Sequence, residues 1–297
     1  MNERFGVGVA ILSSAVGGGA AVATRYLITS ADPITLAAIR FGGGVLCLLP
    51  LALLLRVRWP QRSDWPAVAG LGFMFFAVFF VLYNVALAYT TVARGTLALS
   101  TLPLMTMVVG AMLRIEDLSP RKTLGILLAM LGVAVALVTG LTDAPPGAWR
   151  GDLIMIGATL CMALYNVWTR PFIQRSSALG FVTASMGVGA AALVVVSAFQ
   201  GSGAMVARFA PDQWLAAIYL GAGGGALAFF LWVYALQYAS PSRVANTMTV
   251  NPFVSGLLAA LILHEPLTVQ LAAGLVTVCI GLWIATTDAA AKATQKA

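Results

Sequence analysis

"ALQYASPSRVANTMTVNPFVSGLLAALILHEPL", Ala235–Leu267, repeats "ALAYTTVARGTLALSTLPLMTMVVGAMLRIEDL", Ala86–Leu118, without a gap at an offset of 149 residues. Ala86, Leu87, Tyr89, Arg94, Pro103, Ala111, Glu116 and Leu118 each meet the same residue type in the later copy. The register continues to Gly125/Gly274 and Gly132/Gly281. Apolar coincidences are common in any chain rich in Leu, Ala and Val. Matched Arg, Pro, Glu and Tyr at one fixed spacing are not. The chain is therefore read as two copies of one unit, residues 1–143 and 144–297.

The unit is built for hydrocarbon. Of 297 residues 60% are hydrophobic and only 9% charged, against about 25% charged in soluble domains. Apolar runs of roughly 20 residues, the length that crosses a bilayer core, recur ten times: about 5–28, 33–55, 65–90, 93–113, 121–140, 151–172, 178–199, 213–238, 242–263 and 268–287. The joints carry breakers such as "SADP", "DAPPGAW" and "ASPS". The first run ends in no small-residue cleavage site and is read as a retained span. The expected fold is an all-α polytopic membrane protein of ten transmembrane helices.

Direction follows from the basic residues in the joints. With the N-terminus in the cytoplasm, the inner joints hold Arg4, Arg56, Arg58, Arg62, Arg114, Arg121, Lys122, Arg170, Arg175, Arg243, Lys292 and Lys296, and the outer ones Arg25, Arg94, Arg150 and Arg208. Both termini are expected inside. Five spans per half is an odd number, so the second half enters from the opposite side, and the halves are inverted repeats.

The formal charge of +7 forms no basic stripe, so nucleic acid is not an expected partner. Cys47, Cys161 and Cys279 lie singly in apolar segments, so neither disulfide nor metal site is indicated.

The sequence resembles the drug/metabolite transporter superfamily in its ten-helix, two-repeat EamA-type form. The resemblance covers essentially the whole chain. It rests on "DPITLAAIRF" in span 2 and on the paired stretches "LPLMTMVVGAMLRIEDLSPRKTLGILLAMLGV" and "NPFVSGLLAALILHEPLTVQLAAGLVTVCIGL". Within that superfamily the chain is most similar to bacterial exporters of aromatic amino acids. The resemblance implies a bundle in the bacterial inner membrane with a central cavity and alternating access, no enzyme activity and no cofactor. One departure is that the second half has no Arg at the position of Arg40; span 7 there reads "SMGVGAAA".

Polar groups within spans are the candidate site, because hydrocarbon offers them no partner. Pro103 and Pro252 interrupt spans 4 and 9 and are the expected hinges, each crowding the carbonyl four residues back. Around them lie Ser100, Thr101, Asn246 and Asn251, read either as cavity lining or as groups that re-satisfy a structural kink. Phe79, Tyr83 and Asn84 in span 3, Tyr165, Asn166 and Trp168 in span 6 and Trp232 in span 8 could stack on a planar apolar solute while the amides hold its polar end. The competing reading of Trp168 and Trp232 is an interfacial belt. Arg40, seven residues into span 2, is either a cation at the outer vestibule that attracts a carboxylate or a structural Arg on span-end carbonyls.

Every Asp and Glu falls at or near a span end, which argues for a facilitator without carboxylate-based proton coupling. The expected solutes are aromatic and other neutral amino acids. A broad exporter of purines and cationic dyes and a proton-coupled antiporter are the alternatives, with a channel and a membrane enzyme ranked below them. Spans 5 and 10 suit a lateral scaffold or a homodimer contact.

Overall fold

The computed structural model describes residues 3–114, 120–139 and 144–294. Glu116, whose pairing with Glu265 helped define the repeat, lies outside them. Among the described residues every regular element is helical.

The long helices are α1 Glu3–Leu27, α2 Pro33–Leu54, α3 Arg62–Tyr89, α4 Val92–Met112, α5 Pro120–Thr139, α6 Ala148–Arg175, α7 Ala178–Phe199, α8 Pro211–Tyr238, α9 Pro241–Ile262 and α10 Val269–Thr294. Eight are long and apolar enough to cross a membrane; α5 and α10 carry shorter apolar stretches, Thr123–Val138 and Ala272–Gly281.

Their starts are written in the joints. Asp32 caps α2, its Oδ1 accepting from the Ile34 and Thr35 amides at 3.0 Å each, with Pro33 in the first turn where no amide is needed. Thr91 caps α4 and Ser177 caps α7, accepting from the Arg94 and Gly180 amides. Asp32 itself is partly buried, which raises its pKa, but the hydrogen bonds from Thr35 and Ile34 outweigh this and hold the carboxyl below its usual range.

Packing follows the repeat. α1 packs on α8 and α9, and α6 packs on α3 and α4; α2 lies against α8, and α7 against α3; α2 meets α7, and α5 meets α10. Each pair has its mate on exchange of the two five-helix sets. At the α5–α10 seam the backbones touch at glycines. Gly132 faces Gly274, and Gly281 faces Gly125 so closely that an added Cβ would sit 2.6 Å from the Gly125 carbonyl oxygen. Gly125/Gly274 and Gly132/Gly281 are the repeat mates, so these two contacts are exchanged by the 149-residue shift, and the helices run antiparallel. Small residues at such seams let helix backbones approach in lipid, where packing rather than water drives association.

Four helices are irregular, again in mated positions. α3 opens into a π-helical stretch at Phe73–Phe79, and α8 does so at Leu220–Leu227. α4 breaks at Ser100–Thr101, just before Pro103, and α9 tightens to a 3-10 turn at Thr247–Thr249, just before Pro252. Hydroxyls at the breaks turn back onto carbonyls of their own helix. Ser100 Oγ donates to Thr96 O at 3.0 Å, Thr101 Oγ1 to Ala98 O at 2.8 Å and Thr249 Oγ1 to Asn246 O at 2.9 Å.

One end of the bundle, where α1 finishes and α4 begins, is tied by charge. Arg94 bonds Asp152 at 2.5 Å and the Leu137 carbonyl at 2.7 Å, while Thr90 donates to the other Asp152 oxygen at 2.9 Å. Arg25 pairs with Glu265 at 3.4 Å and donates to Leu87 O, and Glu265 accepts from the Val92 amide at 2.9 Å. At the opposite end Arg175 pairs with Asp64 at 3.1 Å.

Two outcomes are expected in thermal unfolding of the detergent-solubilised protein. Gly281→Ala costs about 1–3 kcal/mol by overpacking against backbone, whereas Gly8→Ala, with nothing within 4 Å of the added carbon, is near neutral. Asp152→Ala strands the buried Arg94 and costs about 3–5 kcal/mol; Asp64→Ala, whose partner Arg175 is 49% exposed, costs no more than about 1 kcal/mol.

Candidate functional site

A small cavity lies at the middle of the bundle, between the two five-helix sets. It is lined by Ser13, Ser14 and Gly17 of α1, Arg40 of α2, Phe79, Phe80 and Tyr83 of α3, Leu99 of α4, Met162 of α6, Ala228, Phe229 and Trp232 of α8, and Met248 and Asn251 of α9. Its volume is about 40 Å³. A water needs at least about 10–15 Å³ of such space, so the cavity has room for a few waters and none for an amino acid. This is a closed form of the bundle.

The irregular helices build the walls. Phe79 ends the π-helical stretch of α3, and Ala228 follows that of α8. Leu99 and Met248 stand at the breaks of α4 and α9, on the residues whose carbonyls Pro103 and Pro252 crowd. α1 supplies the polar seam: Ser13 Oγ donates to Ala228 O at 2.7 Å, and the Ser14 and Thr247 hydroxyls lie 3.1 Å apart.

Arg40 is not at an open vestibule. It is 4% exposed, its Nε and Nη2 both donate to the Gly224 carbonyl at 3.2 and 3.0 Å, and its guanidinium carbon lies 4.6 Å from the Phe80 ring centre and 5.6 Å from those of Phe41 and Phe229. Gly224 belongs to the π-helical stretch, where the backbone register leaves a carbonyl for it. Behind the cavity wall the aromatic cluster continues through Phe75, Phe76 and Tyr165, with Tyr165 stacked on Phe75 at 4.2 Å.

The residues singled out from the sequence divide into three groups. Phe79, Tyr83, Trp232, Asn251 and Arg40 meet at the cavity. Asn84, Ser100, Thr101, Tyr165, Asn166 and Asn246 lie off its wall. Asn84 donates to the Pro33 carbonyl at 2.8 Å, and Asn166 accepts from the Trp232 indole at 3.0 Å, fixing that ring from behind. Ser100 and Thr101 are occupied by their own helix. Trp168 is 42% exposed on the outside of α6. Pro103 and Pro252 sit in the first turn after the breaks. Sequence reasoning passed over the side chains of Ser13, Ser14, Phe80 and Met248, whereas Phe229 stands among the aromatics that span 8 offers for stacking. The adjacent hydroxyls of "LSSAVGGG" in an otherwise apolar span were the available signal.

Apolar helices closed over an aromatic and polar cavity, with interrupted helices at its wall, are the build of a polytopic membrane transporter. The chain belongs to the EamA-like transporter family, whose model matches it twice, over residues 4–138 and 149–287. It is 25% identical to the uncharacterized transporter YyaM of Bacillus subtilis over 87% of this chain and 86% of that one. It is 23% identical to an uncharacterized transporter of Archaeoglobus fulgidus over 90% of this chain and 93% of that one. A solved crystal structure 20% identical in sequence superposes with a TM-score of 0.65, covering 94% of this chain and 97% of the other. At that identity the likeness is one of fold.

Proposed function

We propose that the protein is a facilitator that exports small amphipathic metabolites, aromatic and other neutral amino acids first among them, by alternating access in the bacterial inner membrane. The observation that carries this reading is the cavity itself: five aromatic rings, one cation and one amide converge where the two five-helix sets meet. Residues 1–143 and 144–297 act as inverted halves that rock about the breaks at Pro103 and Pro252. Support for the inversion comes from the mated packing, the antiparallel α5–α10 seam and the paired π-helical stretches. The count of basic residues favours cytoplasmic termini, which makes the charged ties of Arg25–Glu265 and Arg94–Asp152 the outer closure.

No carboxylate stands on the cavity wall, so the site lacks the group that a proton antiporter loads and unloads at its centre. Solute then moves down its own gradient.

Proteoliposomes containing only this protein test the reading. Labelled Phe and Trp enter saturably without any ion gradient, and Glu does not. Trp232→Ala lowers that flux about tenfold, equivalent to about 1.4 kcal/mol, and Trp168→Ala on the outer face leaves it unchanged. Uphill transport abolished by a protonophore would sink the facilitator, and flux without saturation would replace it with a channel.

A further inference from the structure

The cavity wall is unbalanced in charge. Arg40 is its only charged side chain. A guanidinium carries five N–H donors; the Gly224 carbonyl takes two of them, and the rings of Phe41, Phe80 and Phe229 spread over its face. Among the described residues no carboxylate pairs with it. Its mate in the second half is Gly189, so the repeat supplies no second charge. A cation taken out of water without a counter-ion attracts an anion strongly, because little solvent remains to screen it.

Asn251 presents the complementary defect. It is 3% exposed on the same small cavity, its Nδ2 donates to the Ser14 carbonyl at 3.4 Å, and its Oδ1 has no hydrogen-bond partner. A buried acceptor without a donor is uncommon in folded proteins. An unneutralised donor cluster and an unpaired acceptor thus border one space of about 40 Å³, and five aromatic rings share its wall with Ser13, Ser14 and apolar side chains.

We infer that Arg40 and Asn251 form a head-group filter that accepts a solute carrying a carboxylate and an ammonium on one carbon, an α-amino acid held as its zwitterion. The carboxylate takes the guanidinium N–H groups that Gly224 leaves free. The ammonium donates to Asn251 Oδ1. The apolar side chain lies among Phe79, Phe80, Phe229 and Trp232. An amine without a carboxylate meets a bare cation and is rejected; an acid without an amine keeps the stronger half of the recognition and leaves Asn251 unpaired. This inference rests on the cavity being the solute site, and it excludes cationic dyes as its solutes.

The test uses the full-length protein, in detergent for ligand-induced shifts of the melting temperature and in proteoliposomes for competition. Three probes share one ring: phenylalanine, 3-phenylpropionate and 2-phenylethylamine. The expected order is phenylalanine strongest, phenylpropionate about tenfold weaker and phenylethylamine without effect. Asn251→Ala brings phenylalanine down to phenylpropionate and leaves phenylpropionate unchanged. Arg40→Gln weakens both acids at least about tenfold and lets the amine compete; the wild-type probe series stands by itself should that variant fail to fold. Phenylethylamine competing as well as phenylalanine overturns the filter and leaves the transporter reading intact. If none of the three binds, the aromatic reading falls, and the filter is judged on leucine, 4-methylpentanoate and 3-methylbutylamine, for which the same order is required. Silence in both series overturns filter and reading together.

Discussion

The governing constraint on this molecule is that hydrocarbon supplies no hydrogen bonds. Each backbone group must be satisfied within the chain, and every departure from regular helix has to bring its own partner. The departures occur where partners exist. α4 and α9 break beside runs of Ser, Thr and Asn, and the hydroxyls of Ser100, Thr101 and Thr249 return to carbonyls three or four residues back. The π-helical stretch of α8 releases the Gly224 carbonyl, and Arg40 occupies it. Among the described residues, the breaks of α4 and α9 and the ends of the two π-helical stretches border the central cavity.

The same constraint explains the distribution of charge. Arg94 and Asp152 are both buried, yet they are held by each other, by Thr90 and by the Leu137 carbonyl. The pair lies at the end of the bundle, where it joins α4, α5 and α6 away from the central cavity. Arg25 and Glu265 work similarly between α1, the α9–α10 joint and the start of α4. Arg40 differs: its partners are a carbonyl and three ring faces, none of them ionised. At the position 149 residues beyond Arg40 the chain carries Gly189.

Much of the architecture was legible in the sequence because it depends on one-dimensional patterns. Apolar runs mark the spans, breakers such as "SADP" and "ASPS" mark the joints, and the 149-residue register marks the two copies. Pro103 and Pro252 located the breaks for a reason that is local to the chain. The cavity wall was harder to read, because it depends on which face of each helix turns inward. Tyr165 and Trp168 lie three residues apart, but one is fully buried and the other faces outward. The π-helical stretches added to the difficulty, since a wider turn rotates every following side chain relative to a 3.6-residue count. Phe80 and Phe229 come just after such turns. Arg40 reads from the sequence as a vestibule cation or as a structural Arg on span-end carbonyls, because the order of residues does not show that Gly224 lies across from it.

The size of the cavity has a consequence for how tightly any solute is held. A space for a few waters cannot preexist as a binding pocket for an amino acid; the bundle must swell before the solute fits. Whatever share of the empty protein stands open enough to admit a solute, the apparent affinity is the intrinsic one multiplied by that share. A weak solute is then not evidence of poor complementarity. It can mark a protein that keeps its interior shut when it has nothing to carry, which is what a membrane holding an ion gradient requires of every passage through it.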